Sequence, residues 1–557
     1  MGLRRGGHRP GRLRRRAGDD VRPRHPAARV TAAPPDGGRT AVRIAGGLGG
    51  LLRARAEADG DRVLFRFAGT ETTVARVEDL TNRLADVLAA HGVRRGDRVA
   101  VMLDNGVGFP VAWLAIAKLG AVIVPVNPGY RSADLAHVVR DSGAVLALAG
   151  TAAAAEALLA LEFGEVGLLD PADAGPAPEA ARAAGAFDAG AETAEVSGAR
   201  ELPDISWDDL VNLQYTSGTT GFPKGCMLTH RYWLHLAELA ADIASVTTDD
   251  VDLTAQPFYY MDPQWNTVLC LLTGIPLVIL PRFSASGFWP SVREHGATFF
   301  YVLGTMPLLL LKQPPDPELD RSHRVRLVLC SGITPALHAT IEERWGAPWR
   351  EAYGSTEAGV VLAVPPEDTA CVGTGAMGRP VPGKEAKIVR EDGTDAADGE
   401  VGEIVARGEP TLTGYWNRDE PLFRDGWYPM GDLGYRDERG HYHLVGRLKE
   451  MIRRGSENIA AAEVEAVLTG HPAVRAAAVV PVPDDLFGEE VKAFVQPAGP
   501  VEPGELVAYV RARLADFKTP RFVEFVEEFP MTPSERIAKH LLPAGRDGAY
   551  DAREGTR

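Results

Sequence analysis

The chain has 557 residues, of which 45% are hydrophobic and 24% charged, and it carries a formal net charge of −15. This length exceeds what one hydrophobic core organises, so two or more domains are predicted. The excess of 75 acidic over 60 basic residues excludes nucleic acid as the main partner, since phosphate backbones need basic surface. The longest apolar runs, 269–280 and 299–311, contain Gly or Pro and fall short of the roughly twenty residues of a membrane span; a cytoplasmic protein without a membrane span is expected.

Residues 1–40 are rich in Arg, Pro and Gly, with Arg14, Arg15 and Arg16 as the densest basic cluster. No apolar run follows, so a disordered basic tail is predicted rather than a secretory signal. From about residue 60 the chain alternates between strand-like and helical patterns. Residues 98–103, 121–126 and 144–149 read as buried strands, with helical stretches at 111–119 and 132–140 between them. Such alternation predicts parallel strands with helical crossovers. Residues 165–203 break the pattern with Ala, Glu, Gly and Pro, predicting a mobile surface insertion.

Alternation resumes with a strand at 326–330 and a helix at 336–345. Gly332 and Gly354 follow predicted strands, where open α/β sheets bind their ligands. Residues 376–446 change to short β runs with Gly, Asp and Pro turns, predicting a small β subdomain. From 449 to 545 the pattern is that of a compact α+β module, with a tail at 546–557. The predicted fold is α/β: a large N-terminal domain over 41–448, built of two α/β subdomains and a small β-barrel-like subdomain, followed by a mobile α+β C-terminal lid.

The chemistry concentrates in the run Tyr215-Thr-Ser-Gly-Thr-Thr-Gly-Phe-Pro-Lys-Gly225. Glycines let backbone approach a ligand closely, while hydroxyls, free N–H groups and one lysine suit a polyphosphate. Proline before the lysine and glycine after it do not fit the Walker A pattern. An ATP-binding enzyme outside the P-loop class is therefore indicated. The four cysteines, Cys226, Cys270, Cys330 and Cys371, are scattered and suggest buried thiols rather than disulfides or zinc. His441 and His443 have half-site spacing, but no ligand neighbours in sequence, and read as strand residues.

Four further segments follow in order: Tyr353-Gly-Ser-Thr-Glu357, Tyr428-Pro-Met-Gly-Asp432, Gly446-Arg-Leu-Lys-Glu-Met-Ile-Arg-Arg-Gly-Ser-Glu-Asn458 and Pro530-Met-Thr-Pro-Ser-Glu-Arg-Ile-Ala-Lys539. With the opening run they resemble the adenylate-forming superfamily of acyl-CoA synthetases, nonribosomal adenylation domains and luciferases, over about residues 50–545. The resemblance implies that Thr216, Ser217, Gly218, Thr219, Thr220, Gly221 and Lys224 hold the β- and γ-phosphates of ATP. It implies Tyr353 against adenine, Gly332 and Ile333 along the base and acyl tunnel, Thr356 at the α-phosphate, and Glu357 on Mg²⁺, an oxygen ligand for a hard cation. Asp432 would accept the ribose hydroxyls, assisted by Arg447. The implied reaction joins a small-molecule acid to AMP with release of pyrophosphate. The C-terminal module then rotates about Lys449, and the thiol of CoA takes the acyl group.

Three departures stand out. The family's late catalytic lysine follows a glycine; here those two positions are Glu535 and Arg536, with Lys539 three residues on. Arg536 replaces it, Lys539 reaches in, or the first half-reaction is altered. Arg453 and Arg454, beside Gly455, resemble the crotonobetaine/carnitine–CoA ligase branch, and serve either the phosphates of CoA or a solvated surface. Tyr259, Tyr260, Asp262 and Trp265 form either a partly acidic aromatic pocket for a cationic acid, or ordinary core aromatics with Asp262 capping the next helix. The alternative functions are loading of a separate carrier protein, transfer of an oxyacid such as nitrite to an amine, and nucleotide sensing without turnover.

Overall fold

The computed structural model describes residues 46–553 apart from 131, 200, 202, 217–222, 304–305, 420, 455–456, 485–486, 515, 532–535 and 544, and only the backbone at 132, 133, 449, 453, 457 and 458. The expected tail at 1–40, five residues of the expected phosphate loop (Ser217 to Gly221), Gly455, and the side chains of Lys449 and Arg453 therefore lie outside the described residues.

Among the described residues three sheets organise the chain. The first has seven strands, in the spatial order Phe187–Asp188, Glu165–Leu168, Ala144–Ala149, Arg98–Met102, Val122–Pro125, Leu210–Thr216 and Lys224–Thr229. All neighbours are parallel except the last pair, which forms a hairpin around the phosphate-loop segment. The second sheet has thirteen strands. Its parallel part includes Asp252–Thr254, Phe299–Leu303, Leu327–Ser331 and Trp349–Ser355. From Trp349–Ser355 onward the pairing turns antiparallel, through Gly359–Ala363, Ala376–Pro380, Tyr442–Arg447, Tyr428–Arg436, Gly402–Arg407 and Glu385–Val389. These last five strands fall in the stretch where a small β subdomain is expected, and they continue the larger sheet.

The helix Gly108–Lys118 is buried all round, as expected of an almost uniformly apolar run packed on both sides. Its one charge, on Lys118, is fully covered and donates to Glu78 Oε2 at 2.6 Å, Thr81 Oγ1 at 2.7 Å and Asn82 Oδ1 at 2.7 Å. Burial pulls this amine down to about 8, against the pull of Glu78. The contacts bind the helix to its neighbour Val74–Ala90.

Two expectations need correction. The segment 165–203, expected as a mobile insertion, instead holds regular structure: Glu165–Leu168 continues the first sheet, Phe187–Asp188 is its edge strand, and the helix Ala189–Glu195 follows. Glycines there serve close packing, since a Cβ on Gly190 would lie 1.8 Å from the Gly175 carbonyl. The C-terminal module also extends past 545. Its six-stranded sheet includes Tyr550–Asp551, paired with Phe522–Phe525.

Candidate active site

The parallel strands of the second sheet deliver the first group of residues. Leu327–Ser331 ends at Gly332, whose φ of +87° is a conformation open to glycine and costly for other residues. This turn aims two backbone N–H groups at one carboxylate: Gly332 N donates to Glu351 Oε2 at 3.1 Å and Ile333 N to Glu351 Oε1 at 2.7 Å. Burial drives the Glu351 carboxyl up to about 7 despite these donors. Sequence reasoning gave Glu351 no role. The signal was a glutamate inside an otherwise buried strand run.

The adjacent strand Trp349–Ser355 carries Tyr353, whose hydroxyl donates to Asp432 Oδ2 at 2.6 Å. Asp432 lies directly across from Arg447 on the neighbouring antiparallel strand, and that register puts Arg447 Nε 2.9 Å from Asp432 Oδ1. Burial raises the Asp432 carboxyl, while Arg447, Tyr353 and Arg536 act in the opposite direction. Lys539 is held elsewhere: its amine pairs with Glu465 Oε1 at 2.7 Å and with Glu450. Burial pulls the Lys539 amine down, but the two carboxylates prevail and raise it.

A second group gathers at the turn after Ser355. Glu357 Oε1 accepts from Tyr415 at 3.1 Å and from Thr216 at 3.4 Å, with the Cys226 thiol at 3.7 Å. The other oxygen, Oε2, accepts from none of the described residues. Lys224 lies with its amine 5.2 Å from the centre of the Tyr415 ring. Tyr428 joins the two groups: its hydroxyl meets that of Tyr415 at 3.3 Å, and both Glu357 and Arg447 act on its phenol. Tyr415 and Tyr428 had no assigned role in the sequence; Tyr428 opens the segment 428–432, whereas Tyr415 lies outside every recognisable segment.

Thr356 ties this turn to a third group. Its carbonyl accepts from Tyr232 at 2.9 Å, and its hydroxyl lies 3.4 Å from the sulfur of Met261. Met261 opens the helix Met261–Thr273, which also carries Asp262 and Trp265. Burial pushes the Asp262 carboxyl up to about 6, against a hydrogen bond from Trp265 and one from its own N–H. Trp265 stands edge-on to Tyr301 at 6.2 Å, and Tyr301 donates to Ser331 at 2.8 Å. Tyr259 and Tyr260 are tilted against each other at 4.6 Å. Tyr260 precedes the helix, and Asp262 sits in its first turn, where a carboxylate favours the helix dipole.

Arg454, expected near a phosphate or solvent, is engaged within the lid. It contacts Glu490 Oε1 at 2.8 Å and lies 4.1 Å from the Phe487 ring centre. Arg553 meets the same buried oxygen at 2.9 Å.

Residues 52–416 match the AMP-binding enzyme family, and residues 463–536 match the AMP-binding enzyme C-terminal domain. The chain belongs to the AMP-binding enzyme family. Within it, the chain is 35% identical over 508 residues to a feruloyl-CoA synthase of Amycolatopsis sp, covering 88% of this chain and 98% of that protein. It is 32% identical over 523 residues to an oxalate–CoA ligase of Arabidopsis thaliana, covering 89% and 98%. Its fold is similar to that of o-succinylbenzoate CoA synthetase of Bacillus subtilis, solved with an acyl-adenylate intermediate, at a TM-score of 0.80, 28% identity and coverage of 89% and 98%. Among the described residues of this family member, no helix is long and apolar enough to cross a membrane.

Proposed function

We propose that this AMP-binding enzyme is an AMP-forming acid–CoA ligase. It converts a carboxylic acid and ATP into an acyl-adenylate and pyrophosphate, then transfers the acyl group to the thiol of CoA. The observation that carries the reading is the continuous arrangement of Tyr353, Asp432 and Arg447 beside Thr216, Glu357 and Lys224, linked through Tyr415 and Tyr428. Tyr353 offers an aromatic face for a purine. Asp432, once its bonds to Tyr353 and Arg447 rearrange, accepts from a ribose diol. Thr216, Lys224 and the neighbouring Ser217, Gly218, Thr219, Thr220 and Gly221 hold the terminal phosphates.

The donor set at Glu357 fits Mg²⁺. It offers the Glu357 carboxylate with the Thr216 hydroxyl 3.4 Å from its Oε1, and hard cations take oxygen ligands. Bound there with ATP, Mg²⁺ would neutralise charge developing on phosphate. Thr356 orients the α-phosphate, with its backbone fixed by Tyr232. Arg536 takes the place of the usual lysine, because Lys539 is committed to Glu450 and Glu465. A guanidinium supplies several fixed donors where a lysine supplies a point charge. Rotation of the C-terminal module, from 449 through the strand Tyr550–Asp551, about Lys449 then withdraws Arg536 and admits CoA.

Tyr259, Tyr260, Asp262 and Trp265 are proposed to line the acid pocket, next to Thr356 through Met261. The finer likeness to the crotonobetaine/carnitine branch rests on the arginine pair. Arg454 is already held by Glu490, so the reading is kept to an acid–CoA ligase. A pyrophosphate-release screen of ferulate, oxalate, o-succinylbenzoate, trimethylammonium acids and nitrite, with and without CoA, tests it. Release that requires an acid, with a thioester formed in the presence of CoA, is expected. Acid-dependent release without any thioester would overturn the CoA assignment, and no release with any acid would overturn the ligase.

A further inference from the structure

Away from the nucleotide residues, the fold gathers three metal-ligating side chains. Asp368 and Cys371 lie on the connection between the strands Gly359–Ala363 and Ala376–Pro380. His441 immediately precedes the strand Tyr442–Arg447, which pairs with Ala376–Pro380. The pairing brings the connection against His441. Asp368 Oδ2 lies 3.3 Å and Cys371 Sγ 3.8 Å from the same nitrogen, His441 Nε2, and the three ligand atoms lie within 4.8 Å of one another. We propose that Asp368, Cys371 and His441 form a binding site for a zinc-class divalent metal.

The spacing suits the ion. Zinc at about 2.3 Å from sulfur and about 2.0 to 2.1 Å from nitrogen or oxygen separates tetrahedral ligands by roughly 3.3 to 3.6 Å. The Asp–His edge already has that length, and the Cys–His edge exceeds it by a few tenths of an ångström. The mixture of thiolate, imidazole and one carboxylate favours zinc or cobalt over magnesium or calcium.

The surroundings match as well. The other ring nitrogen, His441 Nδ1, faces Asp437 Oδ2 at 3.7 Å. Asp437 is itself fixed: its Oδ1 accepts from the backbone of Arg439 and His441 at 2.9 and 2.8 Å, and its Oδ2 meets His443 Nε2 at 3.1 Å. At 3.7 Å Asp437 does not hydrogen-bond Nδ1; an approach of a few tenths of an ångström on metal binding would let it set the ring's tautomer and orientation. Cys371 and His441 are buried, while the Asp368 side chain is 23% exposed. That opening gives the ion an entry path and leaves a fourth position for water. On binding, the metal–sulfur bond replaces the thiol S–H bond and the proton leaves to solvent.

The site would act as a structural clip. The same connection carries Gly373, whose N–H donates to His338 Nδ1 at 3.4 Å. His338 lies on the helix Pro335–Trp345, which begins just after the Gly332–Ile333 turn. A bound ion would thus brace the connection against the helix that follows the Gly332–Ile333 turn.

The test is a Co²⁺ and Zn²⁺ titration of the full chain after chelation, without ATP. One equivalent of Co²⁺ with a thiolate charge-transfer band is expected, together with a higher melting temperature on adding Zn²⁺. Cys371→Ser should abolish the band and weaken uptake at least tenfold, whereas Cys270→Ala, at another buried thiol, should keep both. A folded wild-type chain that shows no thiolate band with Co²⁺ would overturn the proposal, as would a band that survives in Cys371→Ser.

Discussion

Asp262→Asn isolates the electrostatic cost of the acid pocket. Its carboxyl titrates near 6 in the fold against 3.8 ordinarily, chiefly through burial. The fold therefore prefers the protonated form. Below about pH 4 both states are neutral and there is no penalty. As pH rises from 4 to 6 the unfolded chain ionises first and stability falls, and the loss is complete above about 6. A shift of about 2 units at 1.36 kcal/mol each sets a ceiling of about 3 kcal/mol. Residual solvent contact lowers that figure, and Asn forfeits about 1 kcal/mol of the charge-assisted bond from Trp265. The net expectation is a gain of about 1 kcal/mol at pH 7.5, or roughly 1 to 3 °C in the melting of the large domain. Near pH 4.5 the gain should vanish or reverse. Calorimetric scans of both proteins at the two pH values, at matched ionic strength, measure it. A difference between them that does not change with pH would refute the reasoning. In the same variant, any preference for trimethylammonium acids over neutral isosteres should fall, because the cation loses its counter-charge.

The other predictions concern adenylation and the framework around it. Arg536→Ala should lower single-turnover acyl-adenylate formation by at least about 100-fold, on the scale of losing one group that stabilises transition-state charge; Lys539→Ala should slow it less than tenfold while lowering the lid's melting temperature. Equal losses in the two variants would sink the assignment. Glu351→Gln replaces one acceptor oxygen with an amide that repels an N–H, so at pH 8 it should raise the KM for ATP severalfold while leaving kcat within about threefold. Tyr353→Phe removes only the hydroxyl bonded to Asp432 and keeps the aromatic face. It should therefore bind ATP within about tenfold of wild type, whereas Tyr353→Ala should bind it much more weakly; isothermal titration separates the two.

The motif residues were legible because their chemistry is local. A hydroxyl-rich glycine loop, an aromatic before a glycine, and a carboxylate paired with an arginine each declare themselves within a few residues. The parallel strands were legible through their long apolar runs. What sequence concealed was short or distant. Strands of two to four residues at 165–168 and 187–188 carry no period, and glycines used for close packing look like those of a flexible loop. Glu351 acts on Gly332 and Ile333, 18 or more positions away. Cys371 and His441 are 70 positions apart, so the histidine pair looked partnerless. Which carboxylates claim Lys539, on which the proposed preference for Arg536 rests, is a tertiary matter that spacing does not encode.

The Lys539 pairs have a consequence for motion. Glu450 and Glu465 both lie beyond the proposed pivot at Lys449, on the same side as Lys539. A swing of the lid would carry all three together as cargo and break none of their bonds. In the proposed cycle Arg536 and Asp432 lie on opposite sides of the pivot, so any attraction between them would be made and lost on every turnover. Arg536 is exposed, so dissolved salt screens that attraction. Ionic strength then becomes a handle on the resting position of the lid, independent of either substrate.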